Sequence, residues 1–147
     1  MDPAAELDSF LARLCLYREA RGESKVAKAA VLAVMRNRAL DKKKRWPRTL
    51  AGVVTQPYQF SSFNKNDPNV IVWPKAEIPG KDWVAWLECC EVYDTPLIAD
   101  PTGGANFYHD SSIPPPAEAW LGRGRTVDDL LALKTCEIGK LSFYNIP

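Results

Sequence analysis

Glu19-Ala20-Arg21-Gly22-Glu23, followed by Ser24, decides how this chain folds, because it ends one helix and opens another. Upstream, Leu7, Phe10, Leu11, Leu14, Cys15 and Tyr17 recur at spacings of three and four, an apolar stripe on an amphipathic helix. Gly22 is expected to stop that helix in the left-handed conformation glycine adopts without strain. Ser24 is expected to cap a second helix from Lys25 to about Leu40, with Ala, Val and Leu inside and Lys28, Arg36 and Arg38 outside. Glu19 then falls in the last turn of the first helix, where unpaired carbonyls carry the negative end of the helix dipole. That field, with any burial, favours the protonated carboxyl a general acid needs. Arg18 and Arg21 flank it and act in the opposite sense, since a cation stabilises the carboxylate.

Outward from this junction the chain has the dimensions of one core. Its 147 residues, 46% hydrophobic, suit a single domain over residues 1–147. No run of 18 apolar residues exists, so no membrane-spanning helix is expected. The net charge of +1 provides no global field for nucleic acid, and the run Lys42-Lys43-Lys44-Arg45 reads as a solvated loop or a contact for anionic polymers. Trp83 to Val92 reads as a further helix ending before Pro96, with its tryptophans in the core. Thr126 is expected to cap a short helix at Asp128-Asp129-Leu130-Leu131, and Leu133 to Asn145 to form a hairpin turning at Gly139-Lys140. The fold class is therefore α+β, mainly helical with a small β-hairpin. Residues 64–80, rich in proline and polar residues, read as a loop. Cys15, Cys89, Cys90 and Cys136 lack metal-type spacing and are expected to be free thiols.

Two further stretches carry chemistry. Gln56-Pro57-Tyr58-Gln59-Phe60-Ser61-Ser62-Phe63 mixes amides, hydroxyls and rings, the set that reads sugars, although a turn with a core phenylalanine has the same composition. Gln56 is the leading polar contact, and Phe60 is either a groove wall or core. Asp100-Pro101-Thr102-Gly103-Gly104 is a turn leading into a strand-like Ala105 to His109, its glycines serving either close approach to a ligand or a tight hairpin. His109 is the single histidine and has no second histidine or paired cysteines nearby, so neither a metal nor any other cofactor is expected.

These motifs occur in a set order: Glu19 to Glu23; Met35-Arg36-Asn37-Arg38; Trp46-Pro47-Arg48-Thr49-Leu50-Ala51-Gly52-Val53-Val54; Gln56 to Ser61; Asp100 to His109; and Glu137 to Tyr144. That ordered set resembles the cell-wall hydrolase family of SleB type, which includes spore cortex-lytic enzymes and many phage lysins. The resemblance implies a lysozyme-like domain acting on peptidoglycan glycan strands, usually as a lytic transglycosylase. In that chemistry one glutamic acid protonates the glycosidic oxygen between N-acetylmuramic acid and N-acetylglucosamine. It then acts as base while the muramic acid C6 hydroxyl closes a 1,6-anhydro ring. Glu19 matches the family's catalytic position; Glu23 is the second candidate, or a residue that orders the turn. Gln56, Phe60, Ser61, Thr102, Gly103, Tyr108 and His109 are the substrate contacts the resemblance implies, with Tyr108 a partner for substrate or for Glu19. A departure follows His109, where relatives commonly carry Asn-Pro and this chain has Asp110-Ser111-Ser112-Ile113 and three prolines.

Hydrolysis by water, as in a muramidase, and glycan binding without turnover are the alternatives. The expected partner is peptidoglycan, with no nucleic acid and no integral membrane segment, and the expected state is a monomer. The acidic start, Met1 to Asp8, lacks the pattern of an export signal. That fits a phage endolysin held in the host cytoplasm until lysis and then acting on the periplasmic wall.

Overall fold

Asp2 opens the first helix by accepting the Ala4 N–H on its carboxylate at 3.0 Å, and Pro3 occupies the position where a missing N–H costs nothing. The computed structural model describes residues 2–56, 59–60, 66–68 and 80–147. Helix α1 (Pro3–Ala20) buries Leu14, Cys15, Leu16 and Tyr17, whereas Leu7 and Phe10 at its start are exposed. The apolar stripe thus becomes core only in the helix's second half.

Gly22 does not cap α1 in the left-handed conformation expected of it: Arg21 is right-handed, and Gly22 is not among the positive-φ glycines. Arg21 itself supplies the missing donors, its Nη1 reaching the carbonyls of Arg18 at 3.2 Å and Tyr17 at 3.4 Å. Two free carbonyls of the last turn are thus satisfied by a side chain, and the Ala20 carbonyl accepts the Glu23 backbone N–H at 2.9 Å.

Helix α2 (Lys25–Ala39) begins as expected, with Ser24 Oγ accepting the Ala27 N–H at 3.2 Å. Its outer face is not outside. Lys28 and Arg38 are 2% and 4% exposed, because α2 packs against α1 and, on its other sides, against α3 (Leu50–Thr55), α4 (Lys81–Asp94) and the sheet. Lys28 Nζ pairs with Glu88 on α4 at 2.7 Å, and Arg38 Nε donates to the Asn106 carbonyl at 2.7 Å. A central helix has no solvent face, so long cations on it lay their aliphatic stems in the core and find partners at the tip. Arg36 is half-buried over the Tyr93 ring.

The sheet holds β1 (Phe107–Asp110), β2 (Lys134–Ile138) and β3 (Leu141–Tyr144) in the order β1-β3-β2, all antiparallel. The terminal hairpin turns at Gly139 as expected, and β1 adds a third strand, with Tyr108 opposite Phe143 and His109 opposite Ser142. Two short helices intervene: α5 (Ala117–Leu121), which follows the prolines and was not anticipated, and α6 (Val127–Leu131), started by a reciprocal Thr126 and Asp129 capping box. The α+β reading holds. The thiols are free, Cys15 and Cys89 buried, and Cys90 and Cys136 partly so. Trp86 packs edge-on against Phe10 and Tyr17 at the margin of the core. Among the described residues no helix is long and apolar enough to cross a membrane.

Gly139 has φ +58°, and a Cβ there would meet Glu23 Oε2 at 3.1 Å. Gly139→Ala is expected to cost about 1–2 kcal/mol from the left-handed backbone alone; urea unfolding measures it.

Candidate active site

A cavity of about 700 Å³ opens where the end of α1, the end of α2 and the edge strand β1 converge. Glu19 enters from the last turn of α1, Arg38 from the last turn of α2, and Gln56 and Phe60 from the segment leaving α3. Strand β1 contributes Phe107 through Asp110, and α5 contributes Ala119 and Trp120.

Glu19 is half-buried, and its charge reaches two neighbours. Burial first, and the Glu19 carboxylate second, push the Cys15 thiol and the Tyr108 phenol well above their ordinary values. Tyr108 therefore keeps its proton and presents a hydrogen-bond donor beside Glu19. Arg38 lies under the cavity with its guanidinium 4.9 Å from the Phe107 ring centre, 5.0 Å from Phe60 and 5.3 Å from Trp46. Burial lowers its pKa to about 10, which leaves it a cation at neutral pH. Three ring faces replace much of the hydration it has lost. Two polar atoms here, Arg38 Nη1 and Gln56 Oε1, are buried without a hydrogen-bond partner among the described residues. Each such atom costs about 1–3 kcal/mol, a cost tolerated most readily where function demands the group.

His109 is held on both nitrogens. Its Nδ1 lies 2.7 Å from the Asp110 carbonyl and its Nε2 2.8 Å from the Tyr144 hydroxyl, with the two rings stacked at 5.4 Å. A carbonyl only accepts, so Nδ1 carries the proton, and in the neutral ring the Tyr144 O–H donates to Nε2. His109 shapes the wall with its ring, and neither nitrogen is left over to act as a base. Asp110 is the second carboxylate of the lining. Bonds from the Ser112 backbone N–H, at 2.8 Å, and from its hydroxyl hold Asp110 below the usual carboxylate range. It stays ionised and cannot serve as the proton donor.

The structure thus brings together Glu19, Gln56, Phe60, Tyr108 and His109, and separates three other expected site residues from them. Thr102 and Gly103 do not line the cavity. The Asp100 carboxylate accepts the Thr102 N–H (2.8 Å), the Thr102 hydroxyl (2.6 Å), the Gly104 N–H (3.0 Å) and the Asn37 amide (2.8 Å). Thr102 Oγ1 in turn accepts the Ala105 N–H at 3.1 Å. This loop aims β1 at the cavity, and its glycines serve the positive φ values of 66° and 89° at Gly103 and Gly104. Glu23 lines a separate concavity of about 450 Å³ with Lys28 and Glu88, its carboxylate against the Gly139 turn. Ser61 lies outside the described residues, as does most of the 64–80 stretch.

Sequence reasoning missed Arg38, Trp46, Phe107 and Trp120. The signal for Trp46 was adjacency to the basic run, whose last member is not merely solvated. Arg45 stacks on Trp46 at 4.8 Å, donates to both Asp41 carboxylate oxygens at 3.0 Å, and reaches the Ile146 carbonyl at 2.9 Å. Lys42, Lys43 and Lys44 are exposed. The Arg45 hydrogen bonds hold Asp41 at about 2, from an ordinary 3.8. A depressed folded-state pKa means that this pair stabilises the rim fully above pH 3.8 and loses that contribution as pH falls through about 2. Acid titration of thermal stability is expected to show this loss, and Asp41→Asn to remove that part of the slope.

Among the described residues no cluster of three or more His, Cys, Asp or Glu is placed to hold a metal ion. A search of curated proteins finds no match. The fold is similar to the catalytic domain of the Bacillus cereus SleB protein, with TM-score 0.61 and 24% identity over 95% of this chain and 91% of that one. It is also similar to the catalytic domain of the germination-specific lytic transglycosylase SleB from Bacillus anthracis, with TM-score 0.64 and 23% identity over 99% of each chain. The cell wall hydrolase family model matches residues 22–144, a stretch that includes Glu23 and every cavity residue named above except Glu19, three positions before it. With that match over most of its length, and the fold of the SleB catalytic domains around it, the chain belongs to the cell wall hydrolase family.

Proposed function

We propose that this cell wall hydrolase cleaves the β-1,4 bond between N-acetylmuramic acid and N-acetylglucosamine in peptidoglycan, as a lytic transglycosylase with Glu19 as its acid and base. The observation that carries the reading is Glu19 at the carbonyl end of α1, on the wall of the cavity that Gln56, Phe60 and Tyr108 also line. In the first step the Glu19 carboxyl gives its proton to the glycosidic oxygen as the bond from the muramic acid anomeric carbon to that oxygen breaks. In the second, the Glu19 carboxylate takes the C6 hydroxyl proton while that oxygen bonds to the anomeric carbon. One carboxyl suffices because the substrate brings its own nucleophile. Tyr108, a protonated phenol, is suited to donate to a substrate oxygen, and the Gln56 amide to an acetamido or hydroxyl group.

Mass spectrometry of soluble fragments from purified sacculi tests this. Ends in 1,6-anhydromuramic acid are the expected result, and reducing muramic ends would refute the transglycosylase step. Asp110 in the lining favours one second reading, a hydrolase in which that carboxylate activates water. The two readings separate on Asp110→Asn. Transglycosylation predicts an unchanged product type and a rate within about tenfold of wild type, whereas a base role predicts a loss of about 10²-fold or more.

The biological setting we propose is lysis of a bacterial host by a phage endolysin, since the resemblance extends to phage lysins. Expression in a host with and without a co-expressed holin is expected to give lysis only with the holin.

A further inference from the structure

The cavity wall formed where the sequence departs from the family pattern has no role assigned so far. Ile113, Ala119 and Trp120 line it, and Ile113 is 53% exposed. The Trp120 ring is held by three neighbouring rings: Phe107 lies at 4.9 Å, Tyr144 at 5.7 Å and edge-on, and His109 at 6.0 Å and edge-on. His109 is itself tied down by Tyr144 and the Asp110 carbonyl. Trp120 also packs against the small second core that holds Leu130, Tyr144 and Ile146. A ring so braced is still only half-buried, and it lines the cavity that Glu19 and Gln56 also line.

The cavity therefore combines an apolar aromatic wall with polar side chains. A pyranose has the matching character, with C–H groups on its faces and hydroxyl or acetamido groups around its edge. An indole already held in place loses little side-chain entropy on stacking. We propose that Trp120, supported by Phe107 and His109, is the stacking platform of a sugar subsite, against which one N-acetylhexosamine ring of the glycan strand lies. This rests on the glycan-cleaving reading above and adds the residue that positions the strand along the cavity.

The test is calorimetric binding of the neutral tetramer of β-1,4-linked N-acetylglucosamine to Glu19→Gln protein, so that turnover plays no part. In that background Trp120→Tyr retains an aromatic face and Trp120→Leu retains apolar packing without one. Circular dichroism and the melting temperature establish that each variant is folded. Affinity within about threefold of the parent for Tyr, and at least tenfold weaker for Leu, is the expected result. Equal affinities for parent and Leu, equal losses in folded Tyr and Leu variants, or no saturable binding by the parent would each overturn the proposal. Binding that depends on Trp120 in a protein whose wild type releases no fragments from sacculi would sink the cleavage reading and leave the subsite standing.

Discussion

Glu19→Gln is expected to lower release of soluble fragments from sacculi by about 10²–10⁴-fold, the range a positioned proton donor contributes, with the melting temperature almost unchanged. The swap keeps the shape of the side chain and removes the acidic proton. Glu19 is half-buried at the end of α1, so the helix loses no core packing. The amide cannot donate to the leaving oxygen as a carboxylic acid does, nor take the C6 hydroxyl proton afterwards, so both steps fail together. Glu23→Gln is the control. Its carboxylate lies in the other concavity, against the Gly139 turn, and cleavage is expected to persist. Full activity in Glu19→Gln, with activity lost in Glu23→Gln, would exchange the two assignments.

The largest effect on stability is expected at Arg38. Arg38→Ala removes a 2.7 Å hydrogen bond to the Asn106 carbonyl and contacts with three rings, from a side chain 4% exposed. A hydrogen bond from a charged donor contributes about 1.5–3 kcal/mol, and the vacated volume adds a packing loss. The net cost is expected to be about 3 kcal/mol, because losing Nη1, which has no hydrogen-bond partner among the described residues, returns part of it. For a domain of this size that lowers the melting temperature by roughly 6–12 °C, readable by calorimetry. Asn106 is a second reason the site is sensitive. Its amide exchanges two hydrogen bonds with the Ile146 backbone, at 2.9 and 2.8 Å, so a shift of its carbonyl is transmitted to the C-terminal segment and to Arg45, which bonds the same residue.

Much of this architecture was legible locally. Ser24 and Thr126 each accept a backbone N–H at the start of a helix, the work a hydroxyl does wherever the chain turns into one. The hairpin at Gly139 follows from a residue that adopts φ +58° without strain. Glu19 in the last turn of α1 was readable for the same reason, since an apolar stripe and its end are properties of consecutive residues. Where expectation and structure part, the cause is a neighbour distant in sequence. Lys28 and Arg38 were read as solvent-facing from the periodicity of one helix, and periodicity does not say how many other elements surround it. Thr102 and Gly103 are substrate contacts by the family resemblance, whereas Asp100 and Asn37 make them the loop that orients β1.

The sequence by itself determined the main helices and the terminal hairpin, the caps at Ser24 and Thr126, the α+β class, and the helix end that carries Glu19, because these depend on backbone propensities and hydrogen bonds spanning a few residues. Only the tertiary structure decided which side chains share the cavity. Bringing Glu19, Arg38, Gln56, Tyr108 and Trp120 to one place requires α1, α2, β1 and α5 to pack in one arrangement, and that arrangement is set by burial summed over the whole core.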